Sequence, residues 1–173
     1  MNVWYSLSDI PGNEASVVTI GNFDGMHNGH KKVISTCIER AHKLGVDAVA
    51  ITFDPHPIQV HKPEVGLQLI SPLRDRLDAM AAAGLDATLV AHYDASVYSL
   101  EAEEFVYEYL VERCGAREVV VGEDFRFGRG NAGTIDTLRE LGRRYGFNVI
   151  TVTDIEAPEG RRWSSSWVRE LLA

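Results

Sequence analysis

Along the chain, short uninterrupted apolar runs alternate with stretches whose apolar positions recur every three to four residues. The runs fall at 17–23, 48–53, 87–92, 118–122 and 147–152. Apolar runs of strand length without alternation predict strands buried on both faces. The helical stretches fall at 29–44, 71–83, 100–114 and 134–145, with a short one at 164–172 near the chain end. In the first of these, Val33, Cys37, Ile38, Ala41 and Leu44 share one side; in the second, Ser71-Pro72 places proline at the helix start, where its missing N–H costs nothing. Strands that alternate with helices predict an α/β domain: a parallel sheet of five strands with helices on both faces. No repeat, low-complexity tract or linker interrupts the pattern, so residues 1–173 read as one domain.

Two connecting segments carry unusual composition: 54–70 is rich in His and Pro, and 123–133 in Gly. In parallel sheets, ligands bind beyond the carboxyl ends of the strands. The residues 21–30, 54–57 and 122–127 follow the first, second and fourth predicted strands and are therefore the places to look for chemistry.

With 45% hydrophobic and 24% charged residues, the chain has the balance of a globular domain able to bury a sizeable core. The net charge of −8 argues against nonspecific binding to nucleic acid or anionic membranes. It leaves room for an anionic small ligand, because local His and Arg can override the global sign. Cys37 and Cys114 lie far apart, without a Cys-x-x-Cys, and read as free buried thiols in a reducing compartment. The N-terminal Met1-Asn2-Val3-Trp4-Tyr5 lacks a charged leader, and no segment reaches membrane-spanning length. The expectation is a cytoplasmic protein whose partners are small molecules, not nucleic acid or membrane.

The densest chemistry lies in Gly21-Asn22-Phe23-Asp24-Gly25-Met26-His27-Asn28-Gly29-His30. Glycines at a strand end let backbone approach a phosphate closely. The following helix N-terminus offers unpaired N–H groups and partial positive charge. His27 and His30, three apart, can donate to charge developing in a phosphoryl transition state. A zinc site is the rival reading, but no third ligand stands at a compelling spacing, His56 and His61 included.

Three further groups join this one. Ser164-Ser165-Ser166-Trp167-Val168-Arg169 places hydroxyls and a guanidinium at a helix start, a clamp for leaving phosphates, with Arg162 just upstream as a further cation. Phe53-Asp54-Pro55-His56-Pro57 fixes the chain leaving a strand by two prolines. Gly122-Glu123-Asp124-Phe125-Arg126-Phe127-Gly128 offers aromatics and charges between glycines, suited to a flat ring. The adjacent Gly128-Arg129-Gly130-Asn131-Ala132-Gly133 fits a dinucleotide-binding pattern, and Asp154 falls where a ribose-binding acid belongs. Its context is wrong, since residues 123–127 separate it from the strand.

Together these four motifs resemble the FMN adenylyltransferase module of prokaryotic FAD synthetase, the bifunctional riboflavin kinase/FMN adenylyltransferase. His-x-Gly-His is shared by the wider nucleotidylyltransferase superfamily; the second and third motifs, in this order, mark the FAD synthetase group. The resemblance implies a Rossmann-like nucleotidylyltransferase fold and Mg²⁺-dependent transfer of AMP from ATP to FMN, giving FAD and pyrophosphate. It implies that His27, His30 and Arg169 act on the phosphates. Gly21, Phe23, Gly25, Arg162, Ser165 and Ser166 would bind ATP. Asp54, Pro55, His56, Pro57, Asp124, Phe125 and Phe127 would bind FMN, with Asp124 also a metal contact. Ser166 stands where the family has threonine, beside a bulky Trp167, and Val60-His61-Lys62-Pro63 departs from the family's usual flavin-facing loop. The riboflavin kinase barrel that follows in the family is absent from these residues, so the expectation is an adenylyltransferase that does not phosphorylate riboflavin. The alternatives are another phosphorylated acceptor or CTP, or a nucleotide- or flavin-binding module that is poorly active without its kinase partner.

Overall fold

The structure, a computed structural model, describes residues 1–25 and 28–153. Six parallel strands form one sheet: β1 (Asn2–Trp4), β2 (Ser16–Ile20), β3 (Asp47–Asp54), β4 (Ala87–His92), β5 (Ala116–Gly122) and β6 (Asn148–Val152), in the order β1-β4-β3-β2-β5-β6. The helices are α1 (Asn28–Leu44), α2 (Pro57–His61), α3 (Leu73–Ala83), α4 (Ala95–Tyr98), α5 (Ala102–Phe105) and α6 (Ile135–Tyr145). The helix α5 runs on through Val106–Arg113 in wider turns, ending with Cys114 N–H donating to the Tyr109 carbonyl.

Pleating divides the sheet into two cores, because successive side chains point to opposite faces. Val17, Ala48, Ala50 and Val120 pack under Val33, Ile34, Cys37 and Ala41 of α1 and Met80 of α3. Val18, Val49, Ile51, Leu89, Val119 and Val121 pack under Phe105, Tyr109 and Leu110 and under Leu138 and Leu141 of α6. All five residues of β2 are buried, because β3 and β5 flank it and helices cover both faces. Near the amino-terminal end of β5, Arg40 Nε and Nη2 of α1 donate to the buried Glu118 carboxylate at 2.7 and 2.8 Å, a bidentate pair. The chain builds β3 and β4 outward on one side of β2, then β5 and β6 on the other. This reversal opens a crevice at the carboxyl ends of β2 and β5.

Several expectations need correction. The sheet has a sixth strand, because β1 pairs over only three residues at the edge and leaves no periodicity to read. The strand β2 stops at Ile20 and not at 23, since Phe23 adopts a left-handed backbone, φ +53°, outside the extended region. The segment 54–70 holds α2 and a single turn at Pro63–Val65. The segment 100–114 begins as a helix only at Ala102, after the separate α4. On α1 the core stripe includes Ile34, while Leu44 stands 37% exposed at the helix end. Among the described residues, no helix is long and apolar enough to cross a membrane.

Cys37 and Cys114 are both free and buried. Burial pushes each thiol up to about 12. At pH 8 neither forms the reactive thiolate. A thiol-specific chromogenic reagent is expected to leave both untouched in native protein and to modify both after denaturation; rapid native modification of either would contradict this packing.

Candidate functional site

The segment leaving β2 is held on every side. Gly21 N–H donates to the Ile51 carbonyl, extending the ladder by one residue. The Asn22 carbonyl accepts from Arg76 Nη1 at 2.6 Å and Thr52 Oγ1 at 3.2 Å. Phe23 turns back into the core, 2% exposed. Asp24 is 1% exposed, and its carboxylate accepts from the backbone N–H groups of Ile70 and Ser71 at 3.0–3.1 Å. Gly25, φ +79°, donates its N–H to Ser71 Oγ; a Cβ there would lie 2.7 Å from Ile70 Cδ1. The loop is thus stapled to the chain entering α3. After it begins α1, whose N-terminal dipole suits an anion. In its first turn the His30 imidazole meets the Phe23 ring edge-on, centroids 5.5 Å apart at 82°. His27 lies outside the described residues.

Beyond β3, the Asp54 carbonyl accepts from Tyr93 N–H, binding the strand end to the start of the β4 loop. His56 caps α2: its Nδ1 accepts from Ile58 N–H at 3.1 Å, and its own N–H donates to Gln59 Oε1. An accepting Nδ1 puts the ring proton of the neutral imidazole on Nε2. Pro57 occupies the first helical position.

Beyond β5, the chain folds back as a clasp. Phe127 N–H donates to the Gly133 carbonyl and Gly133 N–H to the Phe127 carbonyl at 2.8 Å. A Cβ on Gly133 would collide with Phe127, and Gly128 and Gly130 have positive φ, so the glycine pattern 128–133 is used up in building this loop. The clasp stacks Phe125 on Phe127, centroids 5.5 Å apart at 12°.

The three strand ends enclose a cavity of about 480 Å³, within the range of small-molecule sites. Gly21, His56, Pro57, Asp124, Phe125 and Phe127 line it; Phe23, Gly25, Asp54 and Pro55 do not. Phe23 and Gly25 shape the loop from behind, and Asp54 and Pro55 close the β3 end. Arg162, Ser165, Ser166 and Arg169, with the helix expected at 164–172, lie outside the described residues. A second cavity of about 820 Å³ adjoins the first and shares Pro57, Tyr93 and Tyr98 with it. On its wall His61 Nε2 lies 2.6 Å from the Tyr93 hydroxyl, and the His61 ring meets Tyr98 at 4.8 Å. Burial pushes the Tyr93 phenol up, so it stays protonated across the physiological range.

Asn22, Arg76, Tyr93 and Tyr98 were missed in the sequence. Tyr93 directly follows β4, so the rule that singled out the other strand ends also points to it. Arg76 carried no such signal, because nothing in its spacing shows that this charged position on α3 faces inward.

A parallel sheet with a strand-order reversal and an aromatic cavity at the carboxyl ends of its strands define a doubly wound α/β domain with a small-molecule site at its switch point. The model of the FAD synthetase family matches residues 9–167, and the chain belongs to that family. It is 38% identical over 163 residues to a putative bifunctional riboflavin kinase/FMN adenylyltransferase of Geobacillus thermodenitrificans, covering 94% of this chain and 84% of that protein. It is 34% identical over 169 residues to the bifunctional riboflavin kinase/FMN adenylyltransferase of Escherichia coli K12, covering 98% of this chain but 53% of that one. Among solved structures, one titled macrolide-efflux protein from Streptococcus pneumoniae superposes with a TM-score of 0.82 at 26% identity, covering 98% of this chain and 56% of that one. Pantothenate synthetase from Thermus thermophilus superposes at 0.62 and 15% identity over 97% of this chain and 67% of that one, a likeness of fold.

Replacing Asp24 by alanine leaves the part-buried Ile70 and Ser71 N–H groups without this acceptor. The expected cost is about 2–3 kcal/mol, read from urea unfolding; Asp24→Asn, which keeps one carbonyl acceptor, is expected to cost less. An Asp24→Ala midpoint equal to wild type would remove the clamp from this account.

Proposed function

We propose that the chain transfers AMP from ATP to FMN, giving FAD and pyrophosphate. The observation that carries this reading is the opposition of two unlike surfaces across one crevice. One is the backbone of Gly21 and Asn22, which leads through Phe23 toward His30 and the start of α1; the other is the Phe125–Phe127 stack with Pro57 and Tyr93. The first suits phosphates and the second a flat aromatic ring. The family and its relatives' names support the same assignment.

In the reaction an oxygen of the FMN phosphate forms a bond to the α-phosphorus of ATP. The bond from that phosphorus to the bridging oxygen breaks, and the electron pair leaves with pyrophosphate. No covalent enzyme intermediate is needed, so catalysis consists of alignment and charge stabilisation. In our reading His27 and His30 donate to the α-phosphate, while Arg169, Ser165 and Ser166, with Arg162, hold the departing pyrophosphate. Gly21 lets the backbone approach the nucleotide, Gly25 lets the loop behind it pack against Ile70, and Phe23 backs His30. His56 and Pro57 form one flavin wall, backed by Asp54 and Pro55 at the end of β3, and Asp124, Phe125 and Phe127 form the other.

Among the described residues, no group of three or more His, Cys, Asp or Glu side chains could hold a metal. A single exposed carboxylate at the cavity, Asp124, fits a Mg²⁺ carried mostly on substrate phosphate oxygens. Such an ion would neutralise charge on the phosphates. Relatives are bifunctional by name, and this chain spans about half of the E. coli protein. We infer a riboflavin kinase module as its partner in a longer parent chain, and a cytoplasmic location consistent with two reduced thiols.

Purified protein with FMN, ATP and Mg²⁺ is expected to form FAD and pyrophosphate in equal amounts, measured by chromatography and a coupled pyrophosphate assay. No FAD at micromolar enzyme would end the proposal. His30→Ala is expected to lower kcat about 100-fold. Phe125→Ala is expected to raise the KM for FMN about tenfold with a smaller effect on kcat.

A further inference from the structure

The buried guanidinium of Arg76 stands beneath the site without touching the cavity. Its residue is 1% exposed, yet among the described residues only Nη1 is hydrogen-bonded, at 2.6 Å to the Asn22 carbonyl and 3.4 Å to Thr52 Oγ1. Nε and Nη2 are buried and have no hydrogen-bond partner among the described residues. Burial pulls the guanidinium's pKa down, while the Asp24 and Asp54 carboxylates act to raise it. Burying a cation with so few partners is costly, and an apolar side chain of similar volume would fill the space at less cost. The arrangement therefore calls for an explanation other than packing.

That explanation lies one residue along. Directly after Asn22, Phe23 holds φ at +53°, a strained conformation for a residue with a Cβ, which persists only where the surroundings over-determine it. The surroundings are Arg76 and Thr52 on the Asn22 carbonyl before it and the Asp24 clamp after it. The buried Phe23 ring then abuts the His30 imidazole edge-on.

We propose that Arg76 is a positioning residue for adenylyl transfer: by gripping the Asn22 carbonyl it fixes the turn at Phe23 and, through the Phe23 ring, the orientation of His30. This rests on the reading of His30 as a group acting on the α-phosphate. The path runs from α3, through the end of β2, into the first turn of α1, so a helix that lines no part of the reaction cavity governs the geometry of the reaction.

The test compares wild type with Arg76→Met, Arg76→Lys and Thr52→Val in the full chain. It measures kcat, the KM for FMN and the ring resonances of His30 by ¹H–¹³C NMR, assigned with His30→Gln. Arg76→Met is expected to lower kcat by about 10- to 100-fold, to leave the KM for FMN within about twofold, and to move the His30 resonance. Arg76→Lys, which keeps a donor near the carbonyl, is expected to recover part of both. A folded Arg76→Met protein whose kcat and His30 resonance match wild type overturns the proposal, whatever its melting temperature. Should Arg76→Met fail to fold, Thr52→Val decides: a His30 resonance moved by this lesser loosening supports the coupling, and an unmoved one overturns it. Absence of FAD formation by wild type would end the functional reading alone, since the ring resonances still report whether Arg76 controls His30.

Discussion

The place where β2 ends governs the rest of the site. Buried along its whole length between β3 and β5, β2 can release its backbone only past Ile20, and Gly21 still pairs with Ile51. From there the chain must leave a crowded sheet and enter α1 within a few residues. It does so through a turn in which the Asn22 carbonyl accepts from Thr52 of β3 and Arg76 of α3, and the Asp24 carboxylate accepts from the chain entering α3. A backbone so constrained can hold a left-handed Phe23 and present a helix N-terminus in one orientation, the preorganisation that charge stabilisation requires.

Around this fixed turn, the two halves of the crevice are built by opposite means. The side proposed for phosphates offers backbone geometry and a helix dipole, which do not depend on the chain's net charge of −8. The ring side relies on side-chain surface, with Phe125 and Phe127 held parallel by a backbone clasp and Tyr93 tied to His61. The hydroxyl–imidazole pair gives the outer wall a polar edge next to its aromatic face, at the position where the loop departs from the family pattern.

The fold was largely legible in the sequence because its strands are continuous apolar runs, and such runs arise when both faces of a sheet are covered. β1 was not legible, since three residues at an edge carry no period. α2 was hidden by a histidine that caps it with a ring nitrogen, a role usually filled by Ser, Asp or Asn. In the site, glycines and histidines announced themselves through the strand-end rule. Asp24 could be read only as part of a motif; that its carboxylate serves the backbone at 70 and 71 depends on packing across 46 residues of chain. Arg76 was illegible for the same reason, because a charged residue on a helix is taken as solvent-facing until tertiary structure buries it. The decoy glycine pattern shows the converse: its spacing is met for reasons of loop closure.

The bidentate pair between Arg40 and Glu118 lies at the back of the sheet, away from the crevice. Arg40 belongs to the same helix as His30, ten positions on, about 15 Å along the axis. Glu118 belongs to the strand whose far end carries the aromatic clasp. The helix that carries His30 and the strand that leads to the clasp are therefore bolted together at the rear, as two jaws of a calliper are set by the beam that joins them. The spacing between the start of α1 and the clasp is set at the rear of the sheet, by a pair whose carboxylate is buried and which lies far from the cavity.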